Sequence, residues 1–145
     1  DYNLRLAAKL RAAGFEVYCP NESEPINDKT RTDVTGRMIY DFDIGELRAS
    51  NVVLLQVSED SGSNWEAGYM DALARTDQTG FYAGVMGIAT DIRLQSIPNP
   101  NQAGVDNQVG YLNQLVVGGL QHSLGIFTNE DAAIAELLAL LDRRG

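Results

Sequence analysis

The chain of 145 residues has little of what most metal and redox sites need: one cysteine, Cys19, and one histidine, His122. A lone cysteine cannot close an internal disulfide, and Cys19 stands in the apolar run Phe15–Cys19 as an ordinary strand residue, which fits a reducing, cytoplasmic compartment. One thiol and one imidazole leave a zinc site of the usual nitrogen and sulfur type without its ligands. Positive charge is also scarce, with 11 basic residues against 20 acidic ones and a net charge of -9. That balance argues against a nucleic-acid polymer or an anionic membrane as partner and favours a small neutral or weakly charged ligand. No apolar run reaches the length of a membrane span, and the start of the sequence carries no signal peptide. Lysine occurs only as Lys9 and Lys29. Neither stands at a late strand end, which sets aside a phosphoacceptor receiver module.

What is present is a hydrophobic content of 44%, enough for a single globular domain over residues 1–145 with a real core. Leu6, Leu10 and Ala13 share a face of an opening helix over residues 2–13 that stops at Gly14. A strand at 15–19 ends at Pro20, and residues 20–34 are polar and turn-rich, either a mobile loop over a site or a plain surface loop. The spacing predicts a second helix over 35–49 with Met38, Ile39, Phe42 and Leu47 inward. Its acids Asp41, Asp43 and Glu46 read first as a solvated face. Strands follow at 51–57 and 80–88, with a helix from 63 to about 75 between them. A long loop at 89–108, a short helix at 109–117, a strand at 122–127 and a helix from Asn129 to about 143 complete the chain. In that last helix Ile134, Leu137, Leu138 and Leu141 are the expected core positions. His122, at the start of a strand, reads as structural.

Helices alternating with short apolar strands give an α/β, doubly wound parallel sheet sandwiched by helices, of flavodoxin-like or Rossmann-like type. In the order 2-1-3-4-5 the first strand is central, yet the sequence opens in a helix, so an N-terminal strand is expected to be missing from the given chain.

The chemistry concentrates between the strand at 51–57 and the helix after it, in Ser58-Glu59-Asp60-Ser61-Gly62-Ser63-Asn64-Trp65-Glu66-Ala67-Gly68-Tyr69. In open α/β sheets the ligand crevice lies beyond the carboxyl ends of the strands, where Asp60 and Glu66 would face it. Gly62 lets backbone approach a ligand, and amides at the helix start favour an anionic partner or a carboxylate held ionised. The structural alternative for Glu66 is a capping box with Ser63 as N-cap. Trp65 and Tyr69 read as core or pocket wall.

These residues resemble the nucleoside 2-deoxyribosyltransferase family. The resemblance runs through Val17-Tyr18-Cys19-Pro20-Asn21, Ile39 to Leu47 and the strand from Asn51. Its most specific part is Asp60-Ser61-Gly62-Ser63-Asn64-Trp65-Glu66-Ala67-Gly68, similar to the family's Asp-x-Gly-(Ser/Thr)-x-x-Glu-x-Gly. Thr90-Asp91-Ile92-Arg93 and Leu112-Asn113-Gln114-Leu115 look like later motifs. Asn51 stands where many members have Asp, and Leu115 where many have Met. The resemblance implies Glu66 as nucleophile on the anomeric carbon of a 2'-deoxynucleoside, giving a covalent ester that a second base captures. It implies Asp43 as proton donor to the departing base and Asp60 as a holder of a sugar hydroxyl or of the local charge state. Asn21 becomes a base contact. Asn113, with Leu115 beside it, would orient Glu66 or bind the 5'-hydroxyl from a neighbouring subunit.

Substrates implied are 2'-deoxynucleosides and free nucleobases, with no metal or organic cofactor. The assembly implied is a homo-oligomer with a shared site, a dimer at minimum and tetramers or hexamers beyond it. Two other readings stand beside this one: a nucleoside or nucleotide N-glycoside hydrolase using the same Glu with water as acceptor, and a module that binds nucleosides without turnover.

Overall fold

Apolar positions at helical spacing alternate along the chain with short β-branched runs, and the elements follow that alternation. The computed structural model describes residues 1–23, 26, 28–90 and 113–145. Its elements are α1 (Tyr2–Ala12), a 3-10 turn at Pro20–Glu22, α2 (Gly36–Ala49), β1 (Val52–Gln56), α3 (Ser61–Thr76), β2 (Gly84–Ile88), α4 (Gln114–His122), β3 (Ile126–Phe127) and α5 (Glu130–Arg144). They belong to two compact units, Asp1–Glu46 and Leu47–Gly145.

The second unit holds an open parallel sheet of order β1-β2-β3. Val52 pairs with Gly84 and Gln56 with Ile88, while Gly87 and Ile88 pair with Ile126 and Phe127. The central strand β2 has all its residues buried. An uninterrupted apolar sequence such as Gly84-Val85-Met86-Gly87-Ile88 requires cover on both faces. That cover comes from helices: α3 packs on β1 and β2, and α4 and α5 pack on β2 and β3. Ala67 and Met70 of α3, Val117 and Leu120 of α4, and Ala133 and Leu137 of α5 are the buried contributions of these helices, beside Val85, Met86 and Ile88 of the sheet. The result is an α/β doubly wound fold, as the alternation implies.

In the first unit, Asp1 caps α1 by accepting the Asn3 amide at 2.8 Å, and Leu6, Ala7 and Leu10 are its buried residues. Arg11 holds the turn that follows, donating to both Glu22 carboxylate oxygens and to the Val17 carbonyl.

The structure corrects several expectations. Residues 15–19 form no strand. A strand exists only through its ladder, and the ladder among the described residues joins β1, β2 and β3 alone. In α2 the buried residues are Ile44 and Leu47, while Met38, Ile39 and Phe42 are exposed. In α3 Trp65 is exposed and Ala67 and Met70 are buried, so Trp65 is not core. In α5 the buried seam is Ala133 and Leu137, four residues apart, and Leu138 faces solvent. His122 is the last residue of α4 and not the start of a strand. Helix α4 starts late because Asn113 caps it, and it ends where the Ser123 amide turns back to the Gly119 and Leu120 carbonyls. Beyond Ala89 and Thr90, the expected loop over 89–108 and the rest of the Thr90–Arg93 motif lie outside the described residues, as does the start of the helix expected at 109–117.

Candidate active site at the carboxyl end of β1

Chain leaving β1 at Gln56 must turn into α3 within a few residues, and side chains organise that turn. The Asp60 amide donates to Ser58 Oγ at 3.2 Å, and the Ser63 amide donates to Asp60 Oδ2 at 2.7 Å. Asp60 is thus the N-cap of α3, three residues earlier than the expected start at Ser63. Helix N-termini leave their first amides without intrahelical partners, and here this chain's own carboxylate answers one of them, the Ser63 amide. That bond, first through the Ser63 backbone, holds the Asp60 carboxyl below the ordinary carboxylate range.

The earlier start changes the standing of Glu66. In a capping box the Glu occupies the third helical residue. With Asp60 as N-cap that position belongs to Ser63, and Glu66 lies a full turn further along α3. The capping explanation for Glu66 is removed. Its side chain is half-buried on the second turn of α3. Gly62 and Ser63 lie in the first turn, and a Cβ at Gly62 would approach Asp60 Oδ2 to 3.4 Å. At the same edge of the sheet, Gln56 Nε2 donates to Thr90 Oγ1 at 3.3 Å, tying the ends of β1 and β2.

The other candidates are placed as follows. Asn113 is the N-cap of α4, its Oδ1 accepting the Leu115 amide at 3.0 Å, and Leu115 itself is 86% exposed. In the first unit, Asn21 donates from Nδ2 to Asp1 Oδ2 at 2.7 Å. Asp43 is half-buried on α2, and burial together with the Glu46 carboxylate one turn on pushes its carboxyl above the ordinary value. Asp41, by contrast, pairs with Arg37 on an exposed face at 2.8 Å. Asp43 thus differs from Asp41 in being half-buried and in lacking the exposed Arg37 pairing that Asp41 makes. Asn64, which sequence reasoning passed over, places a carboxamide between the β1 exit and α3: its Nδ2 donates to the Ser58 carbonyl at 3.2 Å.

Charge in the second unit is sorted by edge. Arg75 stands in the last turn of α3 with Asp71, and Arg143 in the last turn of α5 with Glu136. Arg144 donates to the Gly80 and Tyr82 carbonyls just ahead of β2. The Arg48 carbonyl accepts the Tyr82 hydroxyl there as well. These cations lie at the amino ends of the strands, where they complement the helix C-termini. The carboxyl edge carries Glu59, Asp60 and Glu66. Among the described residues no group of three or more His, Cys, Asp or Glu side chains is arranged to hold a metal ion. No helix among them is long and apolar enough to cross a membrane.

The sequence model of a family described as nucleoside 2-deoxyribosyltransferase matches residues 1–111. That range takes in Asn21, Asp43, Asp60, Gly62, Ser63 and Glu66, and stops short of Asn113 and Leu115. Among curated proteins none matches the chain. Among solved structures, a conserved protein from Enterococcus faecalis V583 is similar, with a TM-score of 0.70 and 24% identity over 95% of this chain and 87% of that one. At that identity the likeness bears on the fold alone.

Proposed function

Because the chain belongs to the nucleoside 2-deoxyribosyltransferase family, we propose that it moves a 2-deoxyribosyl group between nucleobases by double displacement through Glu66. The observation that carries the assignment is the register of α3: with Asp60 as N-cap, Glu66 lies outside the capping-box position, on the second turn of the helix that follows β1. In the first step a Glu66 carboxylate oxygen bonds to the anomeric carbon as the bond to the base nitrogen breaks. A carboxylate suits that oxocarbenium-like transition state because it first stabilises the developing positive charge and then collapses onto it. The departing base needs a proton, and Asp43, whose carboxyl is raised by burial and by Glu46, is the donor in this reading. In the second step a nitrogen of the incoming base attacks the same carbon and gives its proton to the Asp43 carboxylate, the ester bond breaks, and the Glu66 carboxylate is restored. Two inversions retain the β configuration.

The sorting of charge supports unphosphorylated substrates. Arg75, Arg143 and Arg144 are engaged at the amino edge, Arg48 donates to the Tyr69 hydroxyl, and the Ser63 amide at the α3 N-terminus is already answered by Asp60. A 5'-phosphate would meet Glu59, Asp60 and Glu66 instead. Asn21, Gly62, Ser63, Asn113 and Leu115 complete the proposed substrate contacts. Leu115, at 86% exposure, and Trp65, at 67%, are apolar surface that a second copy would cover. A homo-oligomer sharing its sites, with each chain acting as a single domain, is part of the proposal.

The test is chromatography of 2'-deoxyinosine, 2'-deoxycytidine and free adenine incubated with the chain and with Glu66→Ala. New deoxyadenosine that disappears in the variant is the expected result, and the donor consumed gives the base class. Free base and deoxyribose without exchange would make the protein a hydrolase. Binding with no turnover by the full-length chain would leave it a nucleoside-binding module.

A further inference from the structure

Asn64 carries a feature that the proposed chemistry does not use. Its Nδ2 donates to the Ser58 carbonyl at 3.2 Å, while its Oδ1 is buried with no hydrogen-bond partner. A buried amide oxygen left unpaired is a standing penalty that an apolar side chain of the same size would avoid. Such penalties in native structures call for an explanation. The bond that Nδ2 makes supplies one. Ser58 is held at both ends of its residue: its carbonyl by Asn64 Nδ2, and its Oγ by the Asp60 amide at 3.2 Å. The Asn64 amide in turn donates to the Asp60 carbonyl at 3.1 Å. The segment Ser58–Asp60 is therefore stitched to the turn of α3 that leads directly into Glu66.

We infer that Asn64 is a positioning residue, fixing the exit of β1 and the Asp60 carboxylate relative to Glu66. The inference rests on Glu66 as the nucleophile and adds to it the residue that sets its surroundings. Asn64 does not touch the substrate. It acts by keeping the loop that bears Asp60 from drifting off the helix that bears Glu66, and displacements of about 1 Å at a reacting centre can cost on the order of 100-fold in rate.

Two variants separate this from a purely structural role. Asn64→Leu matches the volume and removes the donor and the orphaned oxygen together. Asn64→Asp keeps the shape and sets an acceptor against the Ser58 carbonyl. Both are expected to lower kcat for base exchange by about 10- to 100-fold, with KM for the donor nucleoside within about twofold. Asn64→Leu is expected to melt no lower than the natural chain. The Asp60 and Ser63 amides should exchange with solvent faster in both variants. Unchanged kcat in folded Asn64→Leu overturns the inference, as does a loss that only tracks the melting temperature. Absence of exchange by the natural chain would instead fail the parent reading. The amide measurement needs no turnover and then decides the restraint itself: faster exchange upholds it, and unchanged protection overturns it.

Discussion

The Ser63 amide donates to Asp60 Oδ2 across 2.7 Å, and that one bond sets the register of everything α3 presents. A helix starting at Ser63 would have Glu66 folded back onto its own N-terminus. A helix starting after Asp60 puts Ser63 in that position and carries Glu66 onto the next turn. The difference between a capping residue and a candidate nucleophile is thus a shift of three residues in one helix start.

Asp60→Ala should lower stability by about 1 kcal/mol, the usual cost of losing an N-cap, and Asp60→Asn should recover most of it. The pH dependence has a definite sign. The folded carboxyl lies below its ordinary value because of the Ser63 amide, so the ionised group's contribution is fully present above the unfolded value. It is lost as pH falls through the folded one. Urea unfolding at pH 7 and again near pH 3 should show the gap between the natural chain and Asp60→Ala shrinking at the lower pH. A gap that holds constant would mean that the carboxylate charge plays no part in the cap.

Much of this architecture was legible in the sequence, and the exceptions share a cause. The runs Val52–Gln56 and Gly84–Ile88 announced parallel strands through a continuous apolar signal, although only β2 is buried throughout and β1 is half-buried except at Leu55. Phe15–Cys19 gives a similar signal but has no ladder, since a strand is a property of two segments and local composition reports only one. Asp60 and Ser63 are both good N-caps, so residue type could not choose between them. The choice came from where β1 releases the chain. Met38, Ile39 and Phe42 looked inward by spacing alone, yet the buried positions of α2 are Ile44 and Leu47. Asn64 left no signal at all, because an orphaned carbonyl oxygen is visible only once its neighbours are placed.

Asp43→Asn tests the proton donor. Burial, and then the Glu46 carboxylate, raise the folded carboxyl above its ordinary value. The folded chain therefore binds this proton more tightly than the unfolded one, and the resulting stability is present at low pH and is lost as pH rises through the folded value. The variant should show a shallower loss over that window. In catalysis it should lower kcat by about 100- to 10,000-fold and abolish the alkaline limb of the pH–rate profile. Full activity in the variant would move the donor role to another group.

Asp77 contributes to the acid side of the stability curve, beside the other lowered carboxyls such as Asp60. Its carboxylate accepts from the Thr79 hydroxyl at 2.7 Å, the Thr79 amide at 2.9 Å and the Tyr82 amide at 3.1 Å, and its carboxyl is lowered to about 2. Its contribution is complete above the unfolded value and disappears as pH falls through about 2. Asp77→Asn should flatten the decline of the melting temperature between pH 4 and pH 2, as followed by circular dichroism. An unchanged slope would place the acid sensitivity elsewhere.

Gly87 sits in the sheet beneath Leu120 of α4. A Cβ there would stand 2.8 Å from Leu120 Cδ1 and 3.1 Å from Val57 Cγ2. Gly87→Ala should destabilise by about 1–3 kcal/mol through overpacking, and adding Leu120→Val should return part of that loss. Two mutations that merely add would show that the helix and the strand do not share the contact.

Leu115 decides whether the site belongs to one chain or to two. It follows Asn113 at the start of α4, its amide is held by the Asn113 side chain at 3.0 Å, and 86% of its surface faces water. A large apolar side chain displayed beside a candidate substrate residue is better suited to a neighbouring copy than to solvent. Light scattering of the natural chain is expected to give a dimer or a larger assembly. Leu115→Glu is expected to shift it toward monomer, and exchange activity should fall together with the oligomer, recovering as protein concentration rises. A monomeric variant with full activity per chain would show that each copy carries a complete site, and Asn113 would then act, if at all, within its own subunit.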